Sequence, residues 1–266
     1  MRRIVAVASL LAAAACTSGG SLVQDQPPRG ADELLLRVAY EGGFTPPEYQ
    51  VIRMPIVSVF GDGRVVTEGP QIEIYPSPAL PSVVVRTVSE DAVELILDRA
   101  REAGLTGPDR ELTNDTIADA ADTVFTVDYG DETHTTRAYA LGFDDDAERA
   151  ALTKFQNDMT DLASWLPAED LGEESEWEID RLRIAVQDYA GDPEVPQGAK
   201  DWPLATPLAS FGQETAFGIR CGAVEGEDLA TLLPEVRSSN QLTPWTSDGK
   251  DFRLNVRPLL PDEPDC

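Results

Sequence analysis

Apolar and polar positions along the chain fall into short alternating runs broken by proline and glycine, with two longer stretches of helical period between them. Leu34–Tyr40 reads as a strand. Tyr49–Phe60 is rich in β-formers, with Pro55 inside it, so it is expected to bend there or lie at a sheet edge. Phe60–Val66 predicts a hairpin, because Gly61 and Gly63 permit positive φ. Ile72–Tyr75 alternates, then Pro76, Pro78 and Pro81 interrupt the chain before Val83–Val85. Ser89 has the character of an N-cap, with Glu90 and Asp91 suited to the positive end of a helix dipole. Val93, Ile96, Leu97 and Ala100 keep helical spacing up to Gly104. Thr123–Tyr129 and Thr133–Leu141 predict a second hairpin around Gly130-Asp131. A second helix is expected over 147–165, its apolar stripe made by Leu152, Phe155, Met159, Leu162 and Leu166.

The segment 167–175 (PAEDLGEES) has the composition of a boundary. Beyond it, Trp177–Tyr189 and Thr215–Cys221 read as strands separated by a Pro- and Gly-rich loop. Leu229, Leu232, Leu233 and Val236 predict a short helix that Pro234 kinks or divides. Phe252–Val256 reads as a last strand after the Ser247-Asp248-Gly249-Lys250 turn. The expectation is an α+β fold, mainly antiparallel sheet with two or three packed helices. Its domains are 32–170 and 176–266, possible similar subdomains or simply two runs of ordinary α+β grammar.

The N-terminus is different in kind. Met1-Arg2-Arg3 precedes the uncharged run Ile4–Ala15, which is too short to cross a bilayer as a helix and has the layout of an export signal. The consensus that surrounds a twin-arginine pair is missing. Ala13-Ala14-Ala15-Cys16 followed by Thr17-Ser18-Gly19-Gly20 resembles the lipobox of bacterial lipoproteins. That resemblance implies removal of residues 1–15 and diacylglyceryl transfer to Cys16, placing the protein on the extracytoplasmic side of a membrane. The alternative is an ordinary secretory signal that leaves Cys16 a free thiol. Residues 16–31 then form a tether with a reach of roughly 20 Å as a coil.

Charge narrows the partners. The chain has 48 acidic and 21 basic residues, a formal net charge of −27. Arg2 and Arg3 leave with the signal, so the mature chain is more acidic still. Nucleic acid is excluded as a partner by repulsion from its phosphates, and the folded part should stand off anionic lipid. Solubility accounts for the acidity; a cationic protein or cation partner is the sharper reading.

Three cysteines occur. With Cys16 lipidated, Cys221 and Cys266 remain, and they allow one pairing in an oxidising compartment. A bridge would pin the C-terminus. The tail Asp262-Glu263-Pro264-Asp265 offers no apolar grip and is expected to fray without it. Residues 219–261 also resemble the C-terminal part of uncharacterised exported lipoproteins of high-GC Gram-positive bacteria, through Ile219-Arg220-Cys221-Gly222, Asn240–Trp245 and Arg257–Pro261. The resemblance implies an envelope location and a paired terminal cysteine, and brings no activity.

Candidate chemistry is sparse. His134, the single histidine, would have to be the base of a serine or cysteine hydrolase, yet no G-x-S-x-G is present. Phosphate- and dinucleotide-binding glycine motifs and H-E-x-x-H are also missing, so neither cofactor nor metal site is expected. Ser247–Lys250 matches S-x-x-K formally, but as a glycine turn. Asp144-Asp145-Asp146 with Glu148 can hold calcium or cap the following helix, and capping is the simpler reading. Asp115, Asp119 and Asp122 would share one face if helical. Trp202 and Trp245, beside prolines in loops, are the tryptophans best placed to stack on a ligand, while large aromatics are usually partly buried anchors of packing. The expectation is a membrane-anchored binding or accessory module of the cell envelope, with a carboxylate-dependent envelope hydrolase as the alternative.

Overall fold

The computed structural model describes residues 29–129, 132–143, 146–191, 194–215 and 218–266. Residues 1–28, with Cys16, lie outside them. At the start of the described chain Arg29 pairs with Glu94 at 2.9 Å, and Arg64 donates to the Ala31 carbonyl at 3.0 Å. Residues 29–31 are therefore docked, and the fold begins ahead of Asp32.

The first sheet has eight strands. In chain order they are β1 (Leu34–Gly42), β2 (Val57–Phe60), β3 (Arg64–Glu68), β4 (Val83–Val88), β5 (Arg110–Leu112), β6 (Ala121–Tyr129), β7 (Glu132–Tyr139) and β8 (Leu171–Glu176). They lie in the order β5-β7-β6-β1-β2-β3-β4-β8, antiparallel except for β5 with β7. Two expected hairpins, β2/β3 and β6/β7, are present. The segment 167–175 differs from its expected role as a boundary. After a 3₁₀ turn at Ala168–Asp170 it becomes β8, paired to β4 along the sheet edge.

Two helices cover one face of this sheet. Helix α2 (Glu90–Glu102) starts at Ser89, whose hydroxyl accepts from the Ala92 amide at 3.1 Å. Helix α3 (Ala147–Thr160) starts at Asp146, whose carboxylate accepts from the amides of Glu148 and Arg149. Their apolar stripes meet Leu36, Val38, Phe125 and Val127 in one core. Leu152, Phe155 and Met159 are buried there as their spacing required; the helix stops at Thr160, short of the expected 165, and Leu162, in a 3₁₀ turn, and Leu166 reach the same core from beyond it.

The second sheet contains β9 (Arg181–Asp188), β10 (Lys200–Asp201), β11 (Gln213–Glu214), β12 (Arg220–Glu225), β13 (Pro244–Ser247) and β14 (Lys250–Pro258), in the order β10-β13-β14-β9-β12-β11. Helix α4 (Gly226–Arg237) buries Leu229, Leu232 and Val236 against it and passes through Pro234 as one element. The expected strand at Thr215–Cys221 begins only at Arg220. Between β13 and β14, Asp248 (φ 52°) and Gly249 (φ 77°) form the two-residue left-handed turn that a tight hairpin demands.

The architecture is thus α+β with two largely antiparallel sheets. The halves differ in strand number and helix cover. A fourth helix among the described residues, α1 (Pro47–Ile52), replaces the first part of the β-rich run expected over Tyr49–Phe60. Pro47 at its first turn has φ preset for a helix and no amide to leave unpaired, which overrides the β-propensity of the residues after it. Helix α1 lies against the second sheet: the Val51 carbonyl accepts from Arg183 at 3.2 Å, and Glu48 from Gln187 at 3.4 Å. Ile72, Ile74 and Tyr75 are exposed loop and not strand. That loop then crosses to the second half, where Ala79 donates to Ser239 and Gln241 to Ser77. A third core, of Met54, Phe60, Val66, Val83, Trp177 and Leu260, joins the halves.

Candidate functional site

The sequence-selected residues separate on the fold. Cys221 and Cys266 are joined, with Cα atoms 5.9 Å apart and Cys221 fully buried. The sequence predicts a tail that frays without this bond; in the structure four arginines hold it as well. Arg37 makes a bidentate pair with Asp262 at 2.8 and 2.9 Å. Arg257 does the same with Glu263 at 2.6 and 2.8 Å, and both are buried. Arg181 donates to the Glu263 carbonyl, and Arg183 to the Pro264 and Asp265 carbonyls. Burial pushes Arg183 down to about 10, with the Arg257 charge adding to the effect. Burial would raise Glu263, but the hydrogen bonds and charge of Arg257, the Leu260 amide and Arg37 hold it below the ordinary carboxylate range.

His134 lies on β7 opposite Val127, half-buried. It lines a shallow hollow of about 630 Å³ with Asp109 and Glu132. Ser247 sits in its turn and accepts from the Leu208 amide. Asp146 caps α3, Glu148 pairs with Arg110, and Asp144 and Asp145 lie outside the described residues. Asp115 and Asp119 are in a loop and Asp122 in β6, so they share no helix face. Trp202 and Trp245 are buried against each other edge to face, ring centroids 6.1 Å apart, and the Trp202 indole donates to the Thr206 carbonyl. They are core residues. No group of three or more His, Cys, Asp or Glu placed to hold a metal occurs among the described residues. None of the described helices is long and apolar enough to cross a membrane.

Unusual features converge instead at one end of the first sheet, where β1 and β7 finish and β6 begins. Registers there run Glu41–Asp122–Tyr139 across three strands. Phe44 is 88 % exposed and Phe143 69 %, each following a glycine in a loop. Each backbone is tied by a hydrogen bond: the Phe44 amide donates to the Asp119 carbonyl at 3.1 Å, and that of Phe143 to Ala140 at 3.3 Å. Ala140 is tied in turn to Ala121 at 3.0 Å. Asp119 (φ 61°) and Ala140 (φ 53°) adopt left-handed backbone, which costs a non-glycine residue about 1 kcal/mol. Such strain persists where surrounding contacts impose it and tends to gather at sites of function.

Beside these loops lies a shallow hollow of about 290 Å³, lined by Glu111, Leu112, Thr113, Asp122, Arg137 and Tyr139. Arg137 is held by Glu41 at 2.6 Å, and this hydrogen bond, together with the charges of Glu41, Asp122 and Glu111, raises it against desolvation. The buried Arg149 of α3 supports the hollow from behind, donating to the carbonyls of Tyr139, Leu112 and Thr113 at 2.8–2.9 Å. No sequence motif marks this end. Its sequence trace is the pair Gly43-Phe44 and Gly142-Phe143, a bulky apolar residue twice placed where glycine has just broken a strand.

Comparison with known proteins returns no matching family, no matching curated protein and no matching solved structure.

Proposed function

We propose that this chain is an extracytoplasmic lipoprotein, anchored through lipid on Cys16, whose folded part is a binding or accessory module of the cell envelope. The observation that carries the reading is the N-terminal sequence: a basic start, the uncharged run Ile4–Ala15 and a cysteine behind three small residues. Two acyl chains on one cysteine make a stable anchor, where one chain gives reversible binding. The Cys221–Cys266 bond supports the same compartment, because disulfides persist outside the reducing cytosol. The folded part supports a binding role by offering an open, fixed, aromatic-tipped surface.

Fractionation of cells expressing the parent and Cys16→Ala tests the anchor. The parent is expected in the membrane fraction and the variant in the soluble extracytoplasmic fraction. Equal membrane retention of both would reject the lipid anchor at Cys16.

A further inference from the structure

We propose that the end of the first sheet tipped by Phe44 and Phe143 is the docking surface for a protein partner presenting a segment that combines lysine or arginine with apolar side chains. The proposal rests on the lipoprotein reading for its orientation and on the structure for its chemistry.

Two large aromatics in solvent, each with its backbone amide hydrogen-bonded to a neighbouring carbonyl, make an apolar contact whose backbone ordering cost is reduced. The left-handed Asp119 and Ala140 set the loops that carry them. Polar character is equally specific. Glu41, Glu111, Asp115, Asp119 and Asp122 lie at this end, with Arg137, Arg53 and the buried Arg149 as cations beside them. Arg137 is engaged by Glu41, and Arg53 donates to the Gly42 carbonyl and stacks on Tyr49. This end of the sheet therefore carries two exposed aromatics together with more carboxylates than cations, and a guest complementary to it is basic and apolar together.

Position selects a protein over the two other occupants. β1 enters the sheet from the tether at Leu34 and reaches this end at Gly42, about 25–30 Å along. The surface lies at the opposite end of β1 from Leu34, and its acidity opposes an anionic bilayer. A second copy is disfavoured because each chain carries −27.

The test uses the full purified chain and a labelled short peptide of alternating lysine and leucine, with binding read by fluorescence anisotropy. Binding is expected, with Phe44→Ser/Phe143→Ser weakening it about tenfold or more, the loss of two apolar contacts. Glu111→Gln/Asp122→Asn should weaken it severalfold. Ile72→Ser/Ile74→Ser, elsewhere on the surface, should leave it unchanged. All these side chains are exposed or line an open hollow, so unaltered thermal unfolding checks the fold. No binding of the peptide would overturn the proposal. So would an affinity unmoved by the phenylalanine changes, or equal binding of a lysine–serine peptide, which would reduce the contact to bulk charge. Phenylalanine-dependent binding to phosphatidylglycerol vesicles, or phenylalanine-dependent self-association in sedimentation, would replace the partner with a membrane or a second copy and overturn it as well. The peptide measurement does not involve Cys16. An unmodified Cys16 would overturn the anchor alone, and failed peptide binding would overturn the surface alone.

Discussion

Arg257 and Glu263 form a bidentate ion pair with both side chains out of solvent, 2 % and 9 % exposed. The pair fastens the acidic tail to the last strand of the second sheet. A buried pair is costly to desolvate, so its intact form adds little stability, whereas removing one partner leaves an unpaired buried charge. Glu263→Gln should lower unfolding stability by about 3 kcal/mol, and Arg257→Met by less than removal of the carboxylate alone if the tail lifts with it. Urea titration of the oxidised proteins measures both.

The same carboxylate gives a pH signature. Its folded value lies below the ordinary 4.5, so folding favours the ionised form. The stability it contributes is complete above the ordinary carboxylate range and is lost as pH falls through the lower folded value. Between neutral pH and that range the parent should therefore keep its margin over Glu263→Gln, and the two unfolding curves should converge as the medium is made more acid. A margin that stays constant to the lowest pH would show that Glu263 is not held ionised by its neighbours.

Cys221 and Cys266 enclose 45 residues of separation that include α4 and the β13/β14 hairpin. On chain-entropy grounds their bond contributes about 4 kcal/mol through the unfolded state. Cys266→Ser should reduce stability by up to that amount. Because Arg37, Arg181, Arg183 and Arg257 hold the tail independently, the variant should keep the tail docked at neutral pH, read as unchanged protection of residues 262–265 from carboxypeptidase. Rapid trimming in the variant would show that the arginine contacts do not suffice.

Arg149 links the middle of the fold to its open end. Its guanidinium donates to three carbonyls from the ends of β5 and β7, so an apolar replacement leaves buried acceptors unpaired. Arg149→Met should cost about 3 kcal/mol and loosen the loops around Tyr139 and Phe143. Hydrogen exchange should rise first at 139–143, ahead of the β1–β2 core. Uniform exchange across the sheet would contradict that local role.

Much of the fold was legible because its signals are local. Ser89 and Asp146 cap helices, Leu152, Phe155 and Met159 keep one stripe, and Asp248-Gly249 closes a hairpin, each through chemistry within a few residues. Readings failed where a distant contact decided. Residues 171–176 look like a linker until β4 offers an edge to pair with. Ile72–Tyr75 alternates like a strand but joins neither sheet, and Ile72, Ile74 and Tyr75 stay exposed in a loop. Trp202 and Trp245 take the packing role that large aromatics usually have, in the second core, and not the ligand-stacking one. The candidate surface was hidden for the same reason. Gly42 to Phe44, Asp119 to Asp122 and Tyr139 to Phe143 are far apart in sequence, and only the β7-β6-β1 order brings them to one end. The arginine clamp likewise unites Arg37 with Asp262 across 225 positions.

The anchor at Cys16 is the claim on which compartment, orientation and role depend. It is tested most directly by mass spectrometry of the mature N-terminal peptide isolated from membranes. The account predicts a chain that begins at Cys16 and carries a thioether-linked diacylglyceryl group there. A chain beginning at another residue, or at Cys16 with an unmodified thiol, would contradict it.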